Sequence, residues 1–312
     1  MQLLKGMCLL AAGFVLLVEG ADVFVDGASG LVRRMGIPSL VVGLTVVAMG
    51  TSAPEAAVSI SSSLKAASGI AIGNVFGSNI INVLVILGVT AAIIEIPVES
   101  STLKVELPFT MLISVVLLAL CEHDGLLGRV DAILLLALFA VYLVYTVLLA
   151  LHGKEGEDER GREEHPYWRL LALIVAGSVG IVVGSNFVVD GATGVARIFG
   201  VSDRVIGLTI VALGTSLPEF VTSVTAARRG EAGISIGNVV GSNIFNILFV
   251  LGLSGAISPI PFDRSFLFDG ILAAAATVML WVSCIRTRSI RRPWGVAMIL
   301  AYAVYLGFLI VG

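Results

Sequence analysis

Gly43-Leu-Thr-Val-Val-Ala-Met-Gly-Thr-Ser-Ala-Pro-Glu55 returns 164 residues later in the chain as Gly207-Leu-Thr-Ile-Val-Ala-Leu-Gly-Thr-Ser-Leu-Pro-Glu219. A second pair of stretches repeats at the same offset, Gly69-Ile-Ala-Ile-Gly-Asn-Val-Phe-Gly-Ser-Asn-Ile-Ile-Asn82 and Gly233-Ile-Ser-Ile-Gly-Asn-Val-Val-Gly-Ser-Asn-Ile-Phe-Asn246. Apolar helices that resemble each other by chance share Leu and Val. Here the shared residues are Gly, Thr, Ser, Pro, Glu and Asn, so the chain contains a true internal duplication.

The composition excludes a soluble protein. Of 312 residues, 57% are hydrophobic and 13% are charged, with a mean hydropathy of +1.04, whereas soluble domains carry about 25% charged residues. The net charge of -3 also excludes a nucleic-acid-binding surface, which needs clustered basic residues. The three cysteines stand singly in apolar runs and offer neither a disulfide framework nor metal-ligand spacing. We therefore expect an integral membrane protein and exclude a soluble enzyme.

Apolar runs long enough to cross a bilayer, about 20 residues each, predict an all-α polytopic protein with ten transmembrane helices. The runs lie near 7–31, 38–64, 69–94, 103–121, 126–151, 167–195, 204–227, 233–257, 265–285 and 294–311. They form two five-helix repeats, 1–151 and 167–312, with the repeated motifs at 43–90 and 207–254. Because five is odd, the second repeat enters the membrane from the opposite face, as in transporters with midplane ion sites.

The charges predict the orientation, since Lys and Arg collect on the cytoplasmic side. Alternate loops place 13 of the 19 Lys and Arg residues on one side, which puts both termini outside the cytoplasm. The one long polar stretch, 152–166, then falls on the cytoplasmic side. Its carboxylates are compatible with a regulatory cation site, but a solvated charged linker fits better because the stretch has no D-x-D-x-D-G spacing.

The second span of each repeat is predicted to be broken near its middle. Pro54 and Pro218 have no N–H, so the carbonyls of Gly50 and Gly214 lose their helical partners. A carboxylate, Glu55 or Glu219, follows each proline. An acidic group at mid-membrane costs about 2.5–3.5 kcal/mol, and two of them at equivalent depth repel each other unless a cation neutralises them. The two glutamates are therefore the strongest candidates for a functional site.

The third span of each repeat carries a polar stripe at a spacing of four residues: Asn74, Ser78 and Asn82 in the first, and Asn238, Ser242 and Asn246 in the second. Glycine pairs in both spans, Gly73/Gly77 and Gly237/Gly241, allow close helix approach. Together with Glu55 and Glu219 the stripes form an all-oxygen donor set, which suits hard cations such as Ca²⁺ and Na⁺. For Asn74, Asn79, Asn238 and Asn243, hydrogen bonding between helices is an equally good interpretation.

The two copies of G-x-T-…-G-T-S-x-P-E and G-N-…-G-S-N-…-N resemble the alpha repeats of the sodium/calcium exchangers, in the cation/Ca²⁺ antiporter superfamily. The chain is most similar to the compact prokaryotic members. The resemblance implies a ten-helix inverted repeat in the plasma membrane of a prokaryote, which exchanges Na⁺ for Ca²⁺ by alternating access. We expect no cofactor, no nucleic acid and no obligate protein partner; the partners are the transported ions and the lipid bilayer.

The resemblance also assigns metal ligands. The family's Ca²⁺ carboxylates fall on Glu55 and Glu219, and the remaining ligands fall on Thr51, Ser52, Thr215, Ser216, Ser78, Ser242, Asn82, Asn246 and the carbonyls of Ala48 and Ala212. Some relatives carry Asp at the place of Asn246, and the potassium-dependent ones also at that of Asn82. With Asn at both places the site charge is -2, which argues against potassium dependence.

Spans one and six are the family's sliding helices, and here they carry Asp26 and Asp190 at equivalent positions. We interpret both as helix-end or ion-pair residues, with Arg33 and Arg197 as partners, and gating as the alternative role. Three other functions stay open: a Ca²⁺/H⁺ antiporter that uses the same two glutamates, a Ca²⁺ channel, and a membrane enzyme suggested by the weak D-G…A-R pattern from Asp190 to Arg197.

Overall fold

The computed structural model describes residues 2–65, 69–152, 165–200 and 212–311, and the chain there is almost entirely helical. The helices are α1 (Gln2–Met35), α2 (Ser39–Thr51), α3 (Ala53–Leu64), α4 (Gly69–Ile93), α5 (Thr102–Asp124), α6 (Arg129–His152), α7 (Tyr167–Ile198), α8 (Ala212–Thr215), α9 (Leu217–Arg228), α10 (Ala232–Ile257), α11 (Ser265–Cys284) and α12 (Arg292–Val311).

Eight of these helices are long and apolar enough to cross a membrane, and the bent pair α2–α3 makes a ninth span among the described residues. The remaining predicted span, 204–227, begins outside them, as does most of the charged segment 152–166. The helices run slightly longer than the apolar runs predict. For example, α1 extends beyond 7–31, because a helix continues into the polar interface until a stop signal such as Gly36, whose φ is +62°, ends it.

The second span is bent by 49° between α2 and α3. The bend lies at Ser52, whose backbone angles are φ −82° and ψ 8°, and Pro54 sits in the first turn of α3 where its missing N–H costs no hydrogen bond. In the second repeat Ser216 has nearly the same angles, φ −92° and ψ 4°, and Pro218 follows in the first turn of α9. The helix interruptions therefore coincide with the two repeated motifs.

Four two-residue strands join the two repeats at their loops: β1 (Ile96–Pro97), β2 (Leu126–Leu127), β3 (Ile260–Pro261) and β4 (Ser289–Ile290). Strand β1 pairs with β4, and β2 pairs with β3, both antiparallel. Each pair thus takes one strand from either repeat. These backbone hydrogen bonds fix the loops of one half to those of the other.

Helices α1 and α7 form a closely packed antiparallel pair. Gly6, Gly13, Gly20 and Gly27 on α1 are seven residues apart, two helical turns, and a methyl group at any of them would lie within 3.0 Å of an atom of α7. On α7, Gly177, Gly184 and Gly191 make the same contacts in return. Small residues at such an interface let two backbones approach closely. We call this contact the glycine seam.

The buried apolar residues fall into two clusters. One joins α1 and α7, with members such as Leu17, Phe24, Ile174 and Ile181, to the start of α2. The larger one fills the remaining bundle, with α4 and α10 at its centre. The smaller cluster also includes Ala226 of α9 and Ile234 of α10, so it packs the pair α1/α7 against the main bundle.

Candidate ion-binding site

The structure buries nearly all of the predicted ligand side chains at the junction of the two repeats. Glu55 and Glu219 are each 1% exposed, on the first turns of α3 and α9. The other predicted side chains that are fully buried are those of Thr51, Ser52, Ser78, Asn82, Ser216, Ser242 and Asn246, with Ala48 beside them. Thr215 is half-buried, and the side chain of Ala212 lies outside the described residues.

Several buried oxygens of this cluster have no hydrogen-bond partner. They are both carboxylate oxygens of Glu55, Oε2 of Glu219, Oγ of Ser216, and Oδ1 of Asn82 and Asn246. Six of the thirteen such atoms in the described part of the chain thus belong to five predicted ligands. Each buried oxygen without a hydrogen-bond partner lowers the stability of the fold by about 1–3 kcal/mol. Six such oxygens in one cluster therefore indicate donors arranged for a ligand.

The charge of the cluster is also uncompensated. No lysine, arginine or histidine appears among the buried side chains of the described residues, whereas Glu55 and Glu219 lie close enough for their charges to repel each other. Two unpaired carboxylates are costly in a low-dielectric interior. The described residues contain no group of three or more His, Cys, Asp and Glu, so the further donors must be hydroxyl, amide and carbonyl oxygens.

Hydrogen bonds connect the first broken span to two helices of the second repeat. Ser52 Oγ donates to Glu219 Oε1 at 2.7 Å, and Thr51 Oγ1 donates to Asn238 Oδ1 at 2.9 Å. Ser242 Oγ lies 3.5 Å from the Ala48 carbonyl oxygen. The residues of the first break therefore contact the acid and the polar stripe of the second repeat.

Asn74 and Asn238 hold the acid-bearing helices in place. Asn74 Nδ2 donates to Ser59 Oγ at 3.0 Å and to the Glu55 carbonyl at 3.3 Å. Asn238 Nδ2 makes the equivalent bonds, to Ser223 Oγ at 2.9 Å and to the Glu219 carbonyl at 3.3 Å. These amides fix the backbone at the two glutamates, which is the helix-bonding role considered for them from the sequence.

Four asparagines form a reciprocal set of bonds between α4 and α10. Asn79 Nδ2 donates to the Asn243 carbonyl at 3.4 Å, and Asn243 Nδ2 donates to the Asn79 carbonyl at 3.4 Å. Asn82 Nδ2 donates to Asn243 Oδ1 at 3.0 Å, and Asn246 Nδ2 to Asn79 Oδ1 at 3.2 Å. We call these four residues the asparagine clamp. Asn82 and Asn246 keep their Oδ1 atoms free within it.

The backbone is π-helical at three places in α4, α10 and α2, two of which begin at residues of the clamp. A π-helical segment begins at Asn82 and another at Asn246, and a third spans Gly43–Val47 in α2. Such segments often mark functional sites. The carbonyl of Leu44, in the third segment, accepts a bond of 3.1 Å from Tyr142 Oη. Tyr142 is a supporting residue that carries no motif of its own, so no pattern in the sequence indicates this role.

Removing either central amide of the clamp should destabilise the protein to a similar degree, because the bonds of Asn79 and Asn243 are reciprocal. Interhelical hydrogen bonds in membranes contribute about 0.6 kcal/mol on average and up to about 1.7 kcal/mol. We expect Asn79→Ala and Asn243→Ala each to lower stability by about 1–2 kcal/mol, measured as thermal unfolding in detergent. The exposed Asn186→Ala is the control; unequal losses in the two clamp variants would contradict the reciprocity.

The structure corrects two expectations. Asp26 does not pair with Arg33: its carboxylate, with that of Asp22, binds the guanidinium of Arg229, and Asp190 makes no ion pair with any described residue.

The prediction of close helix approach is confirmed for Gly237 and Gly241, which contact α2. At Gly77 a methyl group would meet no described atom within 4 Å.

Comparison with known proteins identifies a family and several relatives that are similar to this chain. The family model described as "Sodium/calcium exchanger protein" matches residues 5–148 and 169–311. The Inner membrane protein YrbG of Escherichia coli (strain K12) is 39% identical over 297 residues, covering 89% of this chain and 90% of YrbG. The sodium/calcium exchanger MaX1 of Methanosarcina acetivorans is 35% identical over 340 residues, 96% of each protein. A structure of the sodium-calcium exchanger NCX_Mj, soaked with Na⁺ and Sr²⁺, has a TM-score of 0.84 and 32% identity over 98% of both chains.

Proposed function

Because the chain belongs to the sodium/calcium exchanger protein family, as a compact member of prokaryotic type, we propose that it exchanges Na⁺ for Ca²⁺ across the membrane by alternating access. Glu55 and Glu219 supply the charge that binds Ca²⁺. The remaining donors are Thr51, Thr215, Ser52, Ser216, Ser78, Ser242, Asn82, Asn246 and the carbonyls of Ala48 and Ala212.

The observation that carries this proposal is the set of six unpartnered oxygens around two carboxylates without a buried basic residue. Ca²⁺ takes six to eight oxygen ligands, and its two charges match those of Glu55 and Glu219. The Ser52 hydroxyl, which donates its proton to Glu219, keeps its lone pairs for a cation. The chemistry of the donor set thus fits a hard divalent ion.

Exchange follows from competition for the same oxygens. One Ca²⁺ neutralises both carboxylates, whereas a single Na⁺ leaves one negative charge buried, so at least two Na⁺ are needed to replace it. Three or more Na⁺ per Ca²⁺ would make the exchange electrogenic. Since Asn rather than Asp stands at positions 82 and 246, no further carboxylate is available in the cluster for a potassium ion.

The orientation belongs to the same proposal. The chain lies in the inner membrane of a prokaryote, with both termini outside the cytoplasm and the segment 152–166 inside. The name of YrbG as an inner membrane protein supports the compartment. The excess of Lys and Arg on one side supports the direction.

Uptake of ⁴⁵Ca²⁺ into proteoliposomes tests the coupling ion. We expect uptake when the vesicles are preloaded with Na⁺, and at least tenfold less when they are preloaded with K⁺ at the same concentration. Vesicles with an acidic interior and no Na⁺ form the third arm. Uptake driven equally well by protons would replace this proposal by Ca²⁺/H⁺ antiport through the same glutamates, and uptake without any counter-ion gradient would indicate a channel.

A further inference from the structure

An ion pair ties helix α1 to the end of the second acid-bearing helix. The Arg229 guanidinium binds two carboxylates of α1, with Nη2 2.7 Å from Asp22 Oδ1 and Nη1 against Asp26 Oδ1. Asp22 and Asp26 are one turn apart, so they face the same way. Arg229 directly follows α9, which carries Glu219. Partial burial alone would lower the pKa of Arg229, but the carboxylates of Asp26 and Asp22 outweigh it and raise that pKa above its ordinary value.

The duplication places the same two positions at the other end of the bundle. Asp190 on α7 is equivalent to Asp26, and Lys65, directly after α3, is equivalent to Arg229; both lie at the offset of 164. Helices α1 and α7 run antiparallel, since Gly6 contacts Gly191 and Gly27 contacts Ile174. The two sets of residues therefore lie at opposite faces of the membrane.

Only one of the two equivalent contacts is formed. Lys65 and Asp190 are both exposed, and neither makes an ion pair with a described residue. Equivalent positions of the duplication thus form an ion pair in one repeat and none in the other. The structure therefore breaks the symmetry of the repeat at the contact between α1/α7 and the acid-bearing spans.

The packing indicates which part would move. The glycine seam joins α1 to α7 through close backbone contacts. The smaller hydrophobic cluster, which also contains Val41, Ala226 and Ile234, packs this pair against α2, α9 and α10. The asparagine clamp and both strand pairs fix the two halves of the main bundle to each other. The clamp and the strand pairs contain no residue of α1 or α7. A shift of α1/α7 as one body against the bundle would therefore leave the clamp and the strand pairs intact.

We propose that Arg229 with Asp22 and Asp26, and Lys65 with Asp190, are alternative ion pairs that form in turn in the two access states. Each closes one face, and the structure has the Arg229 pair closed. This inference rests on the proposed function, because it assigns these residues to the transport cycle. Arg229 and Lys65 act as positioning residues, since neither touches the ion cluster.

The two pairs are unequal, which sets the resting state. At one face Arg229 binds two carboxylates. At the other face only one carboxylate is available to Lys65, because Asn186 stands at the place of Asp22. Arginine binds carboxylates in a fixed geometry that lysine lacks. Without ions, the state closed by Arg229 should therefore predominate.

Cross-linking tests the alternation without measuring transport. In a Cys8→Ala background, with the buried Cys121 and Cys284 left in place, the pair Lys65→Cys and Asp190→Cys is treated with a short bifunctional maleimide. We expect slow cross-linking with Arg229 present and at least threefold faster cross-linking after Arg229→Gln. The neighbouring Arg228→Gln, which removes the same charge from the same face, should leave the slow rate unchanged.

A second experiment shifts the balance in the opposite direction. Lys65→Arg with Asn186→Asp builds the two-carboxylate fork at the other face, and it should slow cross-linking of Asp26→Cys with Arg229→Cys at least threefold. Equal rates in the presence and absence of Arg229, or no cross-link between positions 65 and 190 with Na⁺ or Ca²⁺, would overturn the alternation. Cross-linking reports the conformation and not the transported ion. A protein that fails to exchange Na⁺ for Ca²⁺ can therefore still show the alternation, and the two failures are distinguishable.

Discussion

Glu55→Gln should reduce Na⁺-driven ⁴⁵Ca²⁺ uptake by about 100-fold or more. Both carboxylate oxygens of Glu55 are buried without a hydrogen-bond partner within normal distance, so the substitution mainly removes a charge and a ligand from the bound ion. Removing one partner from a buried charge interaction costs about 3–5 kcal/mol, and each 1.4 kcal/mol is about tenfold in affinity. Uptake at saturating Na⁺ and direct Ca²⁺ binding by calorimetry measure the loss.

Glu106→Gln is the matched control. Glu106 is also 1% exposed and within a transmembrane helix, α5, with one carboxylate oxygen bonded to Tyr145 Oη and the other without a partner. It lies outside the ion cluster, so we expect its uptake to stay within about twofold of the unmodified protein. Equal losses in both variants would mean that any buried acid is required, and the assignment of Glu55 would then fail.

Gly177→Ala should produce the second large effect, a loss of both stability and transport. A methyl group at Gly177 would lie 2.5 Å from the Phe24 backbone nitrogen and 2.7 Å from its Cα. Because backbone atoms cannot turn away as a side chain can, α1 and α7 must separate along the glycine seam. Overpacking typically costs about 1–3 kcal/mol, and more where the site cannot relax. We expect a lower Tm in detergent and at least tenfold slower exchange.

Gly194→Ala, on the same helix, separates this effect from loss of a flexible residue. A methyl group at Gly194 would meet no described atom within 4 Å, so Tm and exchange should stay unchanged or Tm should rise slightly. If both alanine variants lost activity equally, helix flexibility rather than the seam would be the property that α7 requires.

The burial of the polar cluster around Glu55 and Glu219 was predicted from the sequence better than any other feature of the molecule. Polar residues are costly in an apolar span. Glu55, Asn82 and their equivalents in the second repeat can therefore be chosen as candidates before the fold is known. Their burial follows directly. Their separate roles cannot be predicted in the same way, because they depend on the hydrogen-bond partners. Asn74 supports α3 through Ser59, and Asn82 donates to Asn243 of α10 and keeps its oxygen free.

The contacts of α1 could be predicted only in part. Glycines at every seventh position from Gly6 to Gly27 are visible in the sequence, but this spacing does not say which other span the glycines contact. The Asp26 partner depends on the three-dimensional register of α1 against α9. Arg33 is nearer in sequence, yet Arg229, more than 200 residues away, is the residue that reaches the carboxylate.

The asparagine clamp bears on how this chain arose. Each of its bonds joins two asparagines, and the two pairs of bonds exchange places when the repeats are exchanged. A homodimer of one five-helix half, with its two subunits inserted in opposite orientations, would satisfy every amide of the clamp in the same way. The clamp therefore requires no residue that one repeat has and the other lacks. At this interface a single half carries everything that its inverted copy needs.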